Sequence, residues 1–253
     1  MTRRSLHALR FSYSYNQILV IDACAIIYHS QQHLKYRLHN IFSWNQNLSR
    51  KKGIDFELDW WSMIKKATYN DKDEVVNILS ASFDDNKSVN YLIKQDGNRK
   101  ERIRRLMAYS FEVCYCFGEV YLSSDNSGCA LLLFPDKKKT SLKTILLDIK
   151  LIIACIGISN LAKAVNRESK VKRFHPKSPI YYLWFIGVLP AAQNKGIGSR
   201  LLHEVIELAA EKRRPIYLET STLRNIPWYE KLGFATYEKL HFGYELFCMK
   251  KEV

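Results

Sequence analysis

The chain has 253 residues, 47% hydrophobic and 25% charged, proportions ordinary for a soluble globular protein with a substantial core in one domain or two small ones. Its 39 Lys and Arg against 25 Asp and Glu leave a formal net charge of +14, which favours polyanionic partners (nucleic acid, anionic membrane, phosphorylated cofactors) and says nothing of fold. Cys24, Cys114, Cys116, Cys129, Cys155 and Cys248 lack the spacing of a zinc site and read as buried thiols in a reducing compartment.

The first sixty or so residues carry little sustained periodicity. Arg3, Arg4 and Arg10 precede an apolar run at 18–28, but Asp22 interrupts it and no small-residue cleavage site follows, which argues against a signal peptide. Residues 1–62, ending near the basic Arg50-Lys51-Lys52, read as an N-terminal extension. Met63 then opens a domain over 63–253 and is a candidate true start, with a short strand first and a helix capped by Asp71 or Asp73 after it. A basic helix is predicted at 99–111, followed by strands at 119–123 and 129–134 across an Asp125-Asn126-Ser127-Gly128 turn. A long helix is predicted at 141–166, apolar on most faces and so covered by other elements or bordering a cavity. Its apolar run at 145–158 contains Asp148 and Lys150 and falls short of the roughly 20 residues that span a membrane. After His175-Pro176 come a strand at 180–188, a helix at 197–212, a strand at 216–220, a helix at 225–232 and two closing strands near 235–240 and 244–250. Strands alternating with helices indicate an α/β layered domain.

The sharpest signal lies between the strand at 180–188 and the helix after it. An apolar strand ends at Val188-Leu189-Pro190, and Gln193-Asn194-Lys195-Gly196-Ile197-Gly198-Ser199 leads into a helix whose apolar stripe is Ile197, Leu201, Leu202, Val205, Ile206 and Ala209. Glycines just before a helix leave backbone N–H groups open, and with the helix dipole those groups attract phosphate oxygens. A side chain at 196 or 198 would crowd a diphosphate approaching the main chain. Neither Gly-x-Gly-x-x-Gly nor a Walker Gly-Lys-Ser/Thr is present.

The run Gln193-x-x-Gly196-x-Gly198, with Val188-x-Pro190 before it, resembles the acetyl-CoA signature of the GNAT superfamily of N-acetyltransferases. Downstream, Asn225, Tyr229 and Gly233-Phe234 match that superfamily's second half-site, and Leu218-Glu219-Thr220-Ser221 with Asn225-x-Pro227-x-Tyr229-Glu230 is similar to the puromycin N-acetyltransferase-like branch. The resemblance is strong over 180–236 and weak before. It implies the GNAT fold, a mixed, twisted sheet with splayed central strands flanked by helices. It also implies acetyl-CoA as cosubstrate, with the cofactor site at Ile186, Gly187, Val188, Gln193, Asn194, Lys195, Gly196, Ile197, Gly198, Ser199 and Asn225.

Acetyl transfer to an amine needs a neutral amine, donors for the thioester oxygen and a proton for the leaving thiolate. An aliphatic amine titrates near ~10, so a base or a desolvating pocket must help at neutral pH. Backbone N–H groups around Gly187 and Val188 are candidate donors. The resemblance makes Tyr229 the acid. The strand at 180–190 has no Asp or Glu, so the base assignment moves to Glu219, which alternation places with Tyr217 and Ser221 on one strand face. Trp184 is a candidate pocket wall. His203 falls on an outer helix face, His175 in a loop, and no histidine cluster or metal site is expected.

The leading expectation is thus acetylation of a primary amine on a small molecule, with the helix at 141–166 walling the pocket. Acetylation of a protein lysine or N-terminus, an inert GNAT-fold regulator and a basic nucleic-acid-binding protein are the alternatives. Without a helix-turn-helix signature, zinc ligands or an RNP-type motif, nucleic acid is a poor partner. A cytoplasmic protein off the membrane is expected, with a homodimer left open.

Overall fold

Seven strands build one sheet in the order β1-β2-β3-β4-β5-β7-β6: β1 (Ile64–Lys66), β2 (Gly118–Ser123), β3 (Gly128–Leu133), β4 (Tyr181–Val188), β5 (Ile216–Thr220), β6 (Ala235–His241) and β7 (Glu245–Lys251). Every neighbouring pair is antiparallel except β4 and β5, which run parallel at the centre. The structure is a computed structural model that describes residues 64–253. The expectations for residues 1–62, including Cys24, the run at 18–28 and the basic cluster at 50–52, lie outside the described residues, as does the candidate start at Met63.

Helices cover both faces. Val75, Ile78 and Leu79 of α1 (Lys72–Ser82) and Met107 and Phe111 of α3 (Arg99–Phe117) pack on Leu122, Leu131 and Phe185. On the opposite face, Leu202, Val205 and Ala209 of α6 (Ile197–Glu211) pack on Ala130, Leu132, Leu183 and Leu218, joined by Tyr229 of α7 (Ile226–Lys231). The sequence pattern supplies this arrangement directly. The stripe Ile197, Leu201, Leu202, Val205 and Ala209 recurs at helical spacing and is buried throughout. Each large apolar side chain so buried contributes about 1.5–3 kcal/mol relative to exposure.

Several expectations change. Helix α3 continues six residues past 111, because residues 112–117 keep the apolar pattern until Gly118 stops it; a side chain at 118 would collide with the Leu132 carbonyl. A short helix α2 (Lys87–Leu92), absent from the sequence reading, is capped by Asn86, whose Oδ1 accepts from the Val89 N–H at 3.1 Å. The single helix expected at 141–166 is two. Helix α4 (Leu142–Leu151) runs into a π-helical turn (Ile152–Ile156), Gly157 breaks the path at φ 74°, and α5 (Ile158–Phe174) leaves at 118°. The positive φ at 157 is open to glycine at little cost, and the Gly157 N–H closes the π-helical turn on the Ile152 carbonyl at 2.7 Å. Nor is this segment covered: Leu142 and Ile153 are 81% and 71% exposed. Among the described cysteines, Cys114, Cys129, Cys155 and Cys248 are buried as expected, but Cys116 is exposed on the outer side of α3. No single described helix is long and apolar enough to cross a membrane.

Candidate functional site

The parallel pair at the sheet centre opens soon after it forms. Strands β4 and β5 pair only at Tyr181↔Ile216 and Tyr182↔Tyr217, although β4 continues for six more residues. On its other edge β4 stays paired with β3 as far as Gly128↔Val188, with a bulge that leaves Trp184 as an extra residue between Leu183 and Phe185. The bulge turns both Trp184 and Phe185 toward the α1–α3 face, and β4 bends away from β5. A cleft of about 1520 Å³ occupies the opening.

Strand alternation decides which β4 amides face this cleft. The Leu189 N–H bonds the Ser127 carbonyl at 2.8 Å, so residues 189 and 187 direct their amides toward β3. Ile186 and Val188 therefore present theirs to the open side, and the Val188 carbonyl accepts from Gln193 Nε2 at 3.1 Å there. Gly187, expected as a donor, serves instead through its missing side chain: a Cβ would run into Ser82 of α1, which packs directly over the strand.

Beyond Pro190 the chain folds tightly to enter α6. Asn194 and Gly196 take left-handed conformations at φ 63° and 77°, and Gly196 is the N-cap of α6. No acidic residue lies in the first helical turn, and Gly198 keeps that turn low against Val188 and Trp228. Such a turn can receive an anion. Open N–H groups, a helix N-terminus and unobstructed backbone meet at the mouth of the cleft, and the cleft runs from there to the splayed β4 amides. Ile197 is buried beneath the turn, and Ser199 accepts from Trp228 Nε1 at 2.9 Å, tying α6 to α7. Lys195 is exposed, outside the cleft lining, and its carbonyl accepts from Arg200 at 3.3 Å.

Helix α7 closes the far side. Asn225 is its N-cap and lines the cleft. Tyr229 is 5% exposed and lines the cleft, and its hydroxyl forms no hydrogen bond to another described residue. Burial raises its pKa above that of an ordinary phenol, so the proton is held.

Glu219 faces the same cleft, as alternation predicts, with its side chain 4% exposed. One carboxylate oxygen lies 2.9 Å from His175 Nε2, and the other accepts from the Tyr182 hydroxyl at 2.6 Å. Burial, reinforced by Glu219, raises the Tyr182 pKa well above the ordinary value, so Tyr182 acts as a donor. His175 overturns the view of it as a bystander in a loop: the chain leaving α5 carries it back over β5, 44 residues from its partner in sequence. Tyr182 reaches Glu219 because the parallel register sets it opposite Tyr217, a pairing that the sequence does not show. His175 had no readable signal either.

The remaining wall is mixed. Tyr109 donates to Asp148 at 2.6 Å and meets the edge of Trp184 at 6.2 Å, so Trp184 is a half-buried part of the lining rather than core. Arg167 of α5 donates to Ser88 Oγ at 2.8 Å and to the Tyr244 hydroxyl at 3.2 Å. No group of three or more His, Cys, Asp or Glu side chains suited to a metal occurs among the described residues.

The chain matches the model of the Acetyltransferase (GNAT) family over residues 144–234. An uncharacterized N-acetyltransferase of Schizosaccharomyces pombe is 25% identical over 190 residues, 67% of this chain and 72% of that protein. Among solved structures, the histone acetyltransferase HPA2 and related acetyltransferase of Corynebacterium glutamicum has a TM-score of 0.58 at 24% identity, covering 75% of this chain and 95% of that one. Arylalkylamine N-acetyltransferase 2 of Aedes aegypti has a TM-score of 0.51 at 16% identity, covering 75% and 97%. These likenesses establish the shared fold. The family match over residues 144–234 and the curated relative support an acetyltransferase related to the GNAT family.

Proposed function

We propose that the protein transfers the acetyl group of acetyl-CoA to the primary amine of a small molecule. The observation that carries this reading is the meeting of three features in one cleft: strand amides freed by the splay, the anion cradle at Gly196, and the paired Glu219 and His175 across from Tyr229. Acetyl-CoA is the cosubstrate general to the superfamily, and its thioester supplies the activated carbonyl. The amides of residues 194–199 and the α6 N-terminus hold its diphosphate, and Asn225 holds the arm. The Ile186 and Val188 N–H groups donate to the carbonyl oxygen as charge gathers there. His175, oriented by Glu219, takes the proton of the incoming ammonium, and the Tyr229 hydroxyl donates to the departing sulfur. A phenol is a weaker acid than a thiol, so that donation comes late, and the second proton shed by the acetylated nitrogen restores the Tyr229 hydroxyl.

A small acceptor is favoured over a peptide by the walls of the inner cleft. Tyr109, Asp148 and Trp184 stand on one side, and α5 with His175 on the other. The wording around Glu219 and Tyr229 that resembles the puromycin N-acetyltransferase-like branch agrees with this choice. Screening an amine library for thiol release from acetyl-CoA tests it. Turnover with small primary amines is expected; turnover confined to peptides or protein would replace the acceptor class, and none with any acceptor would defeat the reading.

A further inference from the structure

Arg167 is placed as ligand-binding arginines are placed, without the carboxylate that structural arginines keep. It projects from α5 into the inner cleft, half-buried, and its Nε and Nη2 are fixed by Tyr244 and Ser88, which also bond each other at 3.1 Å. These partners are neutral hydroxyls. Nη1 makes no hydrogen bond to a described residue, and no carboxylate of a described residue lies within ion-pair distance of the guanidinium. The near acid, Glu219, has both oxygens engaged by His175 and Tyr182. Glu219 supplies a nearby opposite charge but no direct bond to the guanidinium, and a planar fork with one free edge suits an oxyanion. By contrast, Arg99 and Arg102 meet Asp84 and Asp96 at 2.8 and 2.6 Å.

The placement relative to Glu219 matters as much as the free edge of the guanidinium. The Ser88 N–H reaches Ser221 Oγ at 3.4 Å, and Ser221 directly follows the end of β5, two residues beyond Glu219. Two strand residues span about 7 Å, so an anion on Arg167 and an amine at the Glu219–His175 pair lie within the length of one small molecule.

We infer that Arg167, seated on Ser88 and Tyr244, is the acceptor site's oxyanion subsite, and that the acceptor is an amine that also carries a carboxylate or phosphate. The inference rests on the acetyl-transfer reading for the amine half and on Arg167 alone for the anionic half. The experiment compares matched acceptors: phenylalanine with phenethylamine, 4-aminobutyrate with butylamine, and 2-aminoethyl phosphate with ethanolamine. Thiol release from acetyl-CoA gives kcat/KM, and calorimetry gives binding in the presence of CoA. The anionic member of at least one pair is expected to exceed its neutral partner by about tenfold or more, a charged hydrogen bond's effect; which pair does so separates carboxylate from phosphate. Arg167→Gln should lower that ratio by about 10- to 100-fold, mainly through KM, and Arg167→Lys by less, since it keeps charge but not the fork. CoA affinity checks that each variant is folded, and the wild-type ratio stands even where a variant is not. Neutral members turning over as well as or better than anionic ones in all three pairs would overturn the subsite and leave acetyl transfer intact. Arg167-dependent binding of an anionic member without thiol release from any amine would support the subsite while defeating the transfer reading.

Discussion

Replacing Tyr229 by Phe isolates the role of a single oxygen atom. The ring lies edge-on to Phe234 with centroids 5.6 Å apart and tilted against Trp228 at 4.6 Å, and Phe preserves both contacts. Removing the hydroxyl leaves no described donor or acceptor orphaned, so folding stability should change by less than about 0.5 kcal/mol. The reaction should lose far more. A positioned general acid contributes about 10²–10⁴-fold, which is roughly 2.7–5.4 kcal/mol of barrier. Single-turnover thiol release at saturating acetyl-CoA separates this step from product release, and calorimetry reads acetyl-CoA affinity separately. A rate at least about a hundredfold lower with affinity within about threefold is expected. An unchanged single-turnover rate, or a loss confined to affinity, would refute the acid role and return Tyr229 to packing.

Glu219→Gln keeps the shape of the side chain but removes the charge facing His175. It should lower kcat/KM by about 10²–10⁴-fold at neutral pH, with the deficit narrowing as pH approaches ~10 and the free amine becomes abundant; a deficit constant across pH would indicate a structural role. Gly196→Asp places a side chain at φ 77° and a negative charge in the anion cradle. Gly196→Ala reports the backbone strain of about 1–2 kcal/mol alone. Acetyl-CoA should therefore bind more weakly to the Asp variant than to the Ala variant, and equal affinity would contradict the cradle. Away from the cleft, Glu119 bonds Lys212 at 2.7 Å and Tyr181 at 2.6 Å. Burial alone would raise its pKa, but Lys212 and Tyr181 outweigh burial and bring it down to about 2. A carboxylate depressed in the fold stabilises above its unfolded pKa of about 4.3 and loses that contribution as pH falls toward 2. Thermal melts of Glu119→Gln should show a shallower decline than wild type between about pH 5 and 2, and parallel declines would rule the ion pair out as its source.

How much of this was legible in the sequence depends on how each part is built. Diphosphate recognition by main-chain amides needs only a strand end, permissive residues and a helix start, all within 186–199. Glycines at 196 and 198 and the stripe from Ile197 to Ala209 announce that local geometry, and the strand-turn-helix lies where the pattern predicts. The splay is less local. It needs β4 to bulge at Trp184 while still paired to β3, and nothing in a run of aromatic and aliphatic residues marks which one is extra. The acceptor side is the least legible, because its side chains come from separate elements. His175 and Glu219 are 44 residues apart, and Ser88 and Arg167 are 79 apart. Both pairs depend on the bend at Gly157, which the continuous apolar run around it concealed. Had the helix continued straight through 157, neither Arg167 nor the His175 turn would return over β5. The bend therefore makes a specific demand: Gly157→Val, strained at φ 74°, should disturb acceptor KM through Arg167 and His175 while acetyl-CoA affinity, held by the loop at 193–199, stays near wild type. Loss of acetyl-CoA binding in a folded Gly157→Val protein would show that the two halves of the cleft are not separable in this way.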